Sequence, residues 1–139
     1  MSYRSPLFRS PAHALAPILY MGLMFYLSSV PGKQLVRWGF TGDHWHLPLY
    51  AGLTLATLWA VAGQPRRRLV LTGLLCVLFA ATDEWHQKFV PGRVPALDDF
   101  TIDVLGVAVG LAIGAALGNL QRRRVLGTGL RARTRGDRA

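Results

Sequence analysis

Between Asp83 and Gly106 the chain places five of its seven acidic residues within 24 positions. The stretch reads Asp-Glu-Trp-His-Gln-Lys-Phe-Val-Pro-Gly-Arg-Val-Pro-Ala-Leu-Asp-Asp-Phe-Thr-Ile-Asp-Val-Leu-Gly, with long apolar segments on both sides. Carboxylates at that density between two apolar helices are costly unless something makes them favourable. Helical spacing groups them. Asp83 and Gln87 are four apart, Glu84 and Gln87 three apart, and Asp99 and Asp103 four apart; upstream, His46 and Tyr50 are also four apart. Each of these pairs shares one helix face. Three helix ends can thus each present two polar groups toward a common centre. Arg93, in the connecting loop, is the nearest permanent cation.

Capping explains only part of this. Asp98 and Asp99 open a helix, where acidic side chains satisfy free N–H groups and suit the positive end of the dipole. Asp83 and Glu84 come near a C-terminal end, where the dipole disfavours negative charge and partners are needed. Asp103 lies about one turn inside an apolar helix, where ionisable groups face the protein interior. Three arrangements would make the cluster favourable. A salt-bridged network of Arg93, Lys88 and the carboxylates is the plainest. A divalent metal held by Glu84, Asp99, Asp103 and His46 or His86 is the second, since oxygen and imidazole ligands suit several metals; no other cofactor is expected. The third is a substrate or proton site in which paired carboxyls do acid–base work. No Ser or Cys neighbours a His in the cluster, which leaves nucleophilic hydrolysis little support. His44 and His46 are two apart and do not share a helix face, so they make a weak metal pair.

The elements that must hold these groups read as membrane helices. The 139 residues suit one domain, half of it apolar and 17% charged, with a net charge of +9. A nucleic-acid domain would interleave its basic residues with folded elements. Here Arg residues sit in short runs between and after apolar blocks, so the expected partner is a lipid bilayer and not nucleic acid. The single Cys76 excludes a disulfide framework within the chain. Residues 1–13 form a loose start. Residues 14–30 carry no charge over seventeen positions, the short end of what crosses a core of roughly 30 Å. That run exceeds a signal-peptide core and lacks a clean small-x-small site, so a retained helix is expected.

Pro31-Gly32 breaks the first segment, and residues 31–45 form a polar connection. The second segment runs from His46 to Gly63, with Pro48 in its first turn. Gln64-Pro65-Arg66-Arg67-Arg68 reads as a tight basic turn, followed by a third segment from Leu69 to about Gln87. The fourth runs from Asp99 to Leu120, with Gly106, Gly110, Gly114 and Gly118 every four residues. Small residues at that spacing let helices approach closely. Packing against the third segment is the favoured reading, and a homo-oligomer face is the alternative. Residues 121–139 hold seven Arg and no apolar block. They are expected to form a disordered tail that binds anionic inner-leaflet lipids.

The expected fold class is therefore an all-α integral membrane protein, a four-transmembrane-helix bundle over residues 14–120. Twelve of the sixteen Lys and Arg fall on the side of the two termini. The positive-inside rule then places both termini in the cytoplasm. Six of the seven acidic residues, all but Asp137, together with His44, His46 and His86, fall at or near the outer face. Trp38, Trp45 and Trp85 read as interfacial anchors at that boundary and Trp59 as one at the opposite boundary. His13 reads as a surface residue.

The runs Asp83-Glu84-Trp85-His86-Gln87, Phe89-Val90-Pro91-Gly92-Arg93 and Asp99-Phe100-Thr101-Ile102-Asp103-Val104-Leu105-Gly106 resemble the signature of the VanZ-like membrane proteins. That signature reads Asp-Glu-x-x-Gln, a short loop to Arg, then Asp, with Asn four residues on and Gly three further. Ser28-Ser29 with Pro31-Gly32 resembles the family's first helix end, and Asp43 with His46 and Tyr50 its second helix start. The resemblance covers roughly residues 15 to 118. It implies that Glu84, Gln87, Arg93 and Asp99 occupy the family's polar positions, with His46 and Tyr50 as weaker matches. Asp103 departs from the pattern, standing where the family usually has Asn.

The resemblance further implies a multi-pass protein of the bacterial cytoplasmic membrane that faces the cell envelope. The family is named for low-level teicoplanin resistance and shares no established reaction, so enzymatic activity stays open. The expected function is an outward polar site that binds an envelope lipid or cell-wall precursor and affects glycopeptide susceptibility. One alternative is a small membrane enzyme acting on an amphiphile. It would use Glu84 or Asp103 as base, or a metal held by Glu84, Asp99, Asp103 and His86. A transporter using Asp103 as carrier is the other.

Overall fold

The computed structural model describes residues 6–39, 45–93 and 97–136. Among them the chain is all-helical: α1 (Pro11–Ser28), α2 (Gly32–Arg37), α3 (His46–Ala60), α4 (Pro65–Gln87) and α5 (Leu97–Gly136). The four expected apolar segments correspond to α1, α3, α4 and α5. The short α2 lies in the stretch read as a polar connection. Asp43, His44, Pro95 and Asp137 lie outside the described residues.

Helix α1 starts from local chemistry. Ser10 caps it by accepting from the His13 amide at 3.3 Å, and Pro11 stands at the first position, where a missing N–H does no harm. His13 is correspondingly more than a surface residue. Its Nδ1 lies 2.7 Å from Ser10 Oγ, and its ring stacks on Trp59 at 4.4 Å. Helix α3 is the enclosed element, touching α1, α4 and α5 and burying Tyr50, Leu53, Thr54, Thr57, Leu58 and Ala60. The core around it joins Met24 of α1, Cys76 and Ala80 of α4 and Val107 of α5.

The outer surface is apolar instead. Leu15, Ile18, Leu19 and Leu23 of α1 are exposed, as are Val70, Leu74 and Leu78 of α4 and Leu105, Val109, Ile113 and Leu117 of α5. Aligned exposed apolar faces of this size mark contact with lipid or protein. Helix α4 and the Leu97–Arg124 part of α5 are long and apolar enough to cross a membrane. At 1.5 Å per residue α4 extends about 35 Å, whereas α3 reaches only about 22 Å.

The basic run is not a tight turn. Pro65 begins α4, and Arg66, Arg67 and Arg68 form its first helical turn. From there two guanidinium groups reach the carbonyls at the end of α3, which have no helical donor. Arg67 Nη1 donates to Ala62 O at 2.9 Å and Arg68 Nη2 to Leu58 O at 2.6 Å. The expectation of a loose start is also corrected for residues 7–9. The Arg9 amide donates to Ala60 O and the Ala62 amide to Leu7 O, an antiparallel bridge centred on Phe8 and Val61. Helix α5 continues to Gly136, into the stretch expected to form the tail; propagating an existing helix needs no new nucleus.

The glycine stripe packs against α3, not against the segment that became α4. A methyl on Gly106 would sit 2.6 Å from Leu47 O, and one on Gly110 would sit 2.8 Å from Ala51 O. Both neighbours are backbone and cannot swing away. Gly118 has nothing within 4 Å. Gly106→Ala is therefore expected to lower stability by about 1–3 kcal/mol through overpacking, while Gly118→Ala leaves it unchanged. Thermal unfolding in detergent compares the two, and equal midpoints would contradict the packing.

Candidate functional site

Two Pro-Gly turns close the end of the bundle that carries the acidic residues. Gly32, after Pro31, lies so near the second turn that a methyl on it would sit 2.6 Å from Gly92 O. Gly92 adopts φ +75°, a left-handed conformation that glycine accepts without strain. The reversal lets the Arg93 amide bond Val90 O at 3.1 Å. It also directs the Arg93 side chain back onto α1, where Nη2 donates to Leu27 O at 3.3 Å. Leu27 is in the last turn of α1, where free carbonyls favour a cation. Arg93 is thus anchored on a backbone carbonyl at a helix end, and the expected salt-bridged network with Lys88 and the carboxylates is not what holds it there.

Behind Arg93 lies a cavity of about 90 Å³ between α1, α3 and α4. Its polar lining is Ser28, His46, Tyr50, Asp83, Gln87 and Arg93, and its apolar lining includes Met24, Leu27 and Leu49, with Trp45. Asp83 and Gln87 share a face of α4, and His46 and Tyr50 share one of α3, as their four-residue spacing requires. Ser28 and Gln87 stand beside Asp83. Even so, Ser28 Oγ, Tyr50 Oη, Asp83 Oδ1 and Arg93 Nε are buried and have no hydrogen-bonding partner of proper geometry. Ser28 and Asp83 are each 5% exposed and Tyr50 1%. Buried polar atoms in native proteins are nearly always satisfied by protein groups, ordered water or a ligand, so a concentration of exceptions around one cavity marks it as a candidate binding site.

Asp103 and Glu84 lie outside the cavity lining but are tied to residues that form it. Asp103 is fully buried, and its Oδ1 lies 2.9 Å from Nδ1 of His46, which is 17% exposed. Its second oxygen, Oδ2, is without a partner, as is Glu84 Oε1. Glu84 feels the charges of Asp99, Asp103, His46 and Asp83, so the acidic residues of α4 and α5 do converge. Glu84 does not line the cavity itself. Asp98 and Asp99 both fall in the first turn of α5, where they complement its dipole.

His86 is held elsewhere. Its Nε2 lies 3.0 Å from Ser29 Oγ, and its ring sits 4.3 Å from that of Phe25. Among the described residues no group of three or more His, Cys, Asp or Glu side chains is arranged to hold a metal ion.

Sequence reasoning did not assign roles to Ser28, Leu27 or Trp45 at the site. Ser28 could have been found from its place next to the Pro-Gly break, at the end of a helix aimed at the polar region. The Leu27 carbonyl carries no side-chain signal at all.

A family model described as VanZ/LLP1 matches residues 14–118 of the chain. No curated protein and no solved structure matches it. The matched span begins within α1 and ends within α5, and so includes every residue around the cavity.

The His46–Asp103 contact is a polar tie between α3 and α5. His46→Ala leaves Asp103 buried without its partner and is expected to cost about 3–5 kcal/mol. Adding Asp103→Leu to that variant should recover part of the loss, because the orphaned carboxylate is gone. Thermal unfolding of the single and double variants measures the difference. Equal stability of the two would mean that the pair contributes nothing.

Proposed function

The chain belongs to the VanZ/LLP1 family, and from that premise we propose that it is a membrane protein whose cavity binds the polar head group of an envelope lipid or lipid-linked cell-wall precursor. The observation that carries this reading is the set of buried, unpartnered atoms facing the cavity, Ser28 Oγ, Tyr50 Oη and Asp83 Oδ1. An unmade hydrogen bond at such a position costs about 1–3 kcal/mol, which a polar ligand offsets. Met24, Leu27, Leu49 and Trp45 supply an apolar flank suited to the adjoining part of a lipid.

On this reading α1, α3, α4 and α5 cross the bacterial cytoplasmic membrane, with both termini inside and the cavity at the outer face. Support comes from the charge distribution, twelve of sixteen Lys and Arg on the side of the termini. The exposed apolar faces of α1, α4 and α5 agree with it. Helix α3 is short, but the other helices enclose it, so its length need not match the lipid. The basic end of α5 then meets the anionic inner leaflet. A protein that binds head groups at the outer leaflet has a direct route to altering glycopeptide susceptibility. Cysteines introduced as Lys33→Cys and Arg122→Cys test the topology, since the native Cys76 is buried. A membrane-impermeant maleimide applied to intact cells should label the first and spare the second. The opposite pattern would remove the outward assignment.

A second reading, a head-group hydrolase, is favoured by one observation. Asp103 binds Nδ1 of His46 and leaves Nε2 as the ring nitrogen available to act as a general base toward water. One experiment separates the two. The full chain is isolated with membrane lipid and analysed by native mass spectrometry, alongside Ser28→Leu, which fills the cavity. Binding predicts lipid retained by the wild type and lost from the variant, with no product. Hydrolysis predicts a released water-soluble fragment that disappears in Asp103→Asn. Equal lipid retention by wild type and Ser28→Leu would remove the cavity from either account.

A further inference from the structure

We infer that the part of the ligand buried in the cavity is a primary ammonium, making the ligand an aminophospholipid with an ethanolamine head group whose phosphate lies on Arg93. This rests on the head-group reading above and adds the chemical class. Charge favours a cation. Asp83 lines the cavity with an unpartnered oxygen, and Glu84 and Asp103 each hold another buried, unpartnered carboxylate oxygen nearby. Asp83 lies within electrostatic reach of both. Against these stand His46, bonded to Asp103, and Arg93, anchored on Leu27 O. An anionic tip would meet three carboxylates in a weakly screened site, whereas a cation relieves their mutual repulsion.

Hydrogen-bond stoichiometry agrees. An ammonium has three donors and no acceptor. The unpartnered cavity atoms Asp83 Oδ1, Ser28 Oγ and Tyr50 Oη are all able to accept, one for each N–H. Ser28 stands beside Asp83, whereas Tyr50, on a different helix, turns a buried hydroxyl without a partner to the same cavity and so points to a ligand apart from the carboxylates.

Arg93 completes the match. Its Nε is also without a partner, and a guanidinium is suited to phosphate oxygens. One cavity therefore presents an anionic and a cationic side chain, the complement of a zwitterion.

The test uses the full chain in detergent micelles, titrated with phosphatidylethanolamine, its N-methyl and N,N-dimethyl derivatives, phosphatidylcholine and phosphatidylglycerol, and read by native mass spectrometry. Affinity should fall stepwise with each methyl, by at least about tenfold from ethanolamine to choline, and phosphatidylglycerol should bind more weakly than phosphatidylethanolamine. Asp83→Asn should flatten the methylation series. Wild-type protein that binds choline or glycerol lipids as tightly as ethanolamine lipids, with all binding lost in Ser28→Leu, would overturn the ammonium assignment and leave a head-group site standing. Lipid binding unchanged by Ser28→Leu would overturn both. Retention of phosphatidylethanolamine against millimolar O-phosphoethanolamine supports the lipid as ligand, and displacement would overturn the lipid in favour of a soluble amine.

Discussion

The close approach of α3 and α5 at Gly106 governs where the polar groups of this protein can meet. With no side chain at Gly106, α5 lies directly against the Leu47 carbonyl and the Tyr50 side chain. One turn toward its N-terminus, the same helix face carries Asp103, which that approach delivers to Nδ1 of His46. His46 in turn stands four residues before Tyr50, so the ring and the phenol face the same cavity. Backbone contact at a glycine thus sets the geometry of an ionisable pair one turn away. A larger residue would separate the helices and leave Asp103 buried without its bond.

The two ends of the bundle solve opposite electrostatic problems. At the basic end, Arg67 and Arg68 place their guanidinium groups on carbonyls at the end of α3. Cations there complement the helix dipole and need no anion. At the other end Asp83 and Glu84 sit near the C-terminus of α4, against its dipole. Arg93 does for α1 what Arg68 does for α3, and so is partly committed to a carbonyl. The carboxylates are consequently under-compensated by the protein itself. Buried polar groups are satisfied as a rule, which is why the proposed ligand is placed at this end.

That imbalance gives family membership a physical content. The matched span covers all of the elements that enclose the cavity. Membership alone names no reaction, and function has to be argued from the site. Here the site combines a small polar cavity, an apolar flank and an arginine between two Pro-Gly turns. The proposed head-group ligand uses each of these features. The His46–Asp103 pair is the one feature with a reading of its own, as the positioned base of a hydrolytic site.

Much of this protein was legible in its residues alone because the relevant periodicities are local. The apolar runs marked four of the five helices, and four-residue spacing correctly paired His46 with Tyr50 and Asp83 with Gln87. The acidic stretch stood out as a candidate site because its carboxylates outnumbered what capping explains. Other features depended on contacts between distant segments. Neither the partner of the glycine stripe, nor the binding of Arg93 to a backbone carbonyl, nor the role of Ser28 has a local signal. The basic run joined α4 because the end of α3 lay within reach of its guanidinium groups, and the chain before α1 was ordered by pairing with residues 60–62. Sequence by itself determined which residues had to be polar and on which helix faces they lay, since rise and twist per residue are properties of the backbone. Only the tertiary structure decided which of those groups are satisfied and which remain open to a ligand, because that depends on how closely α1, α3, α4 and α5 approach one another.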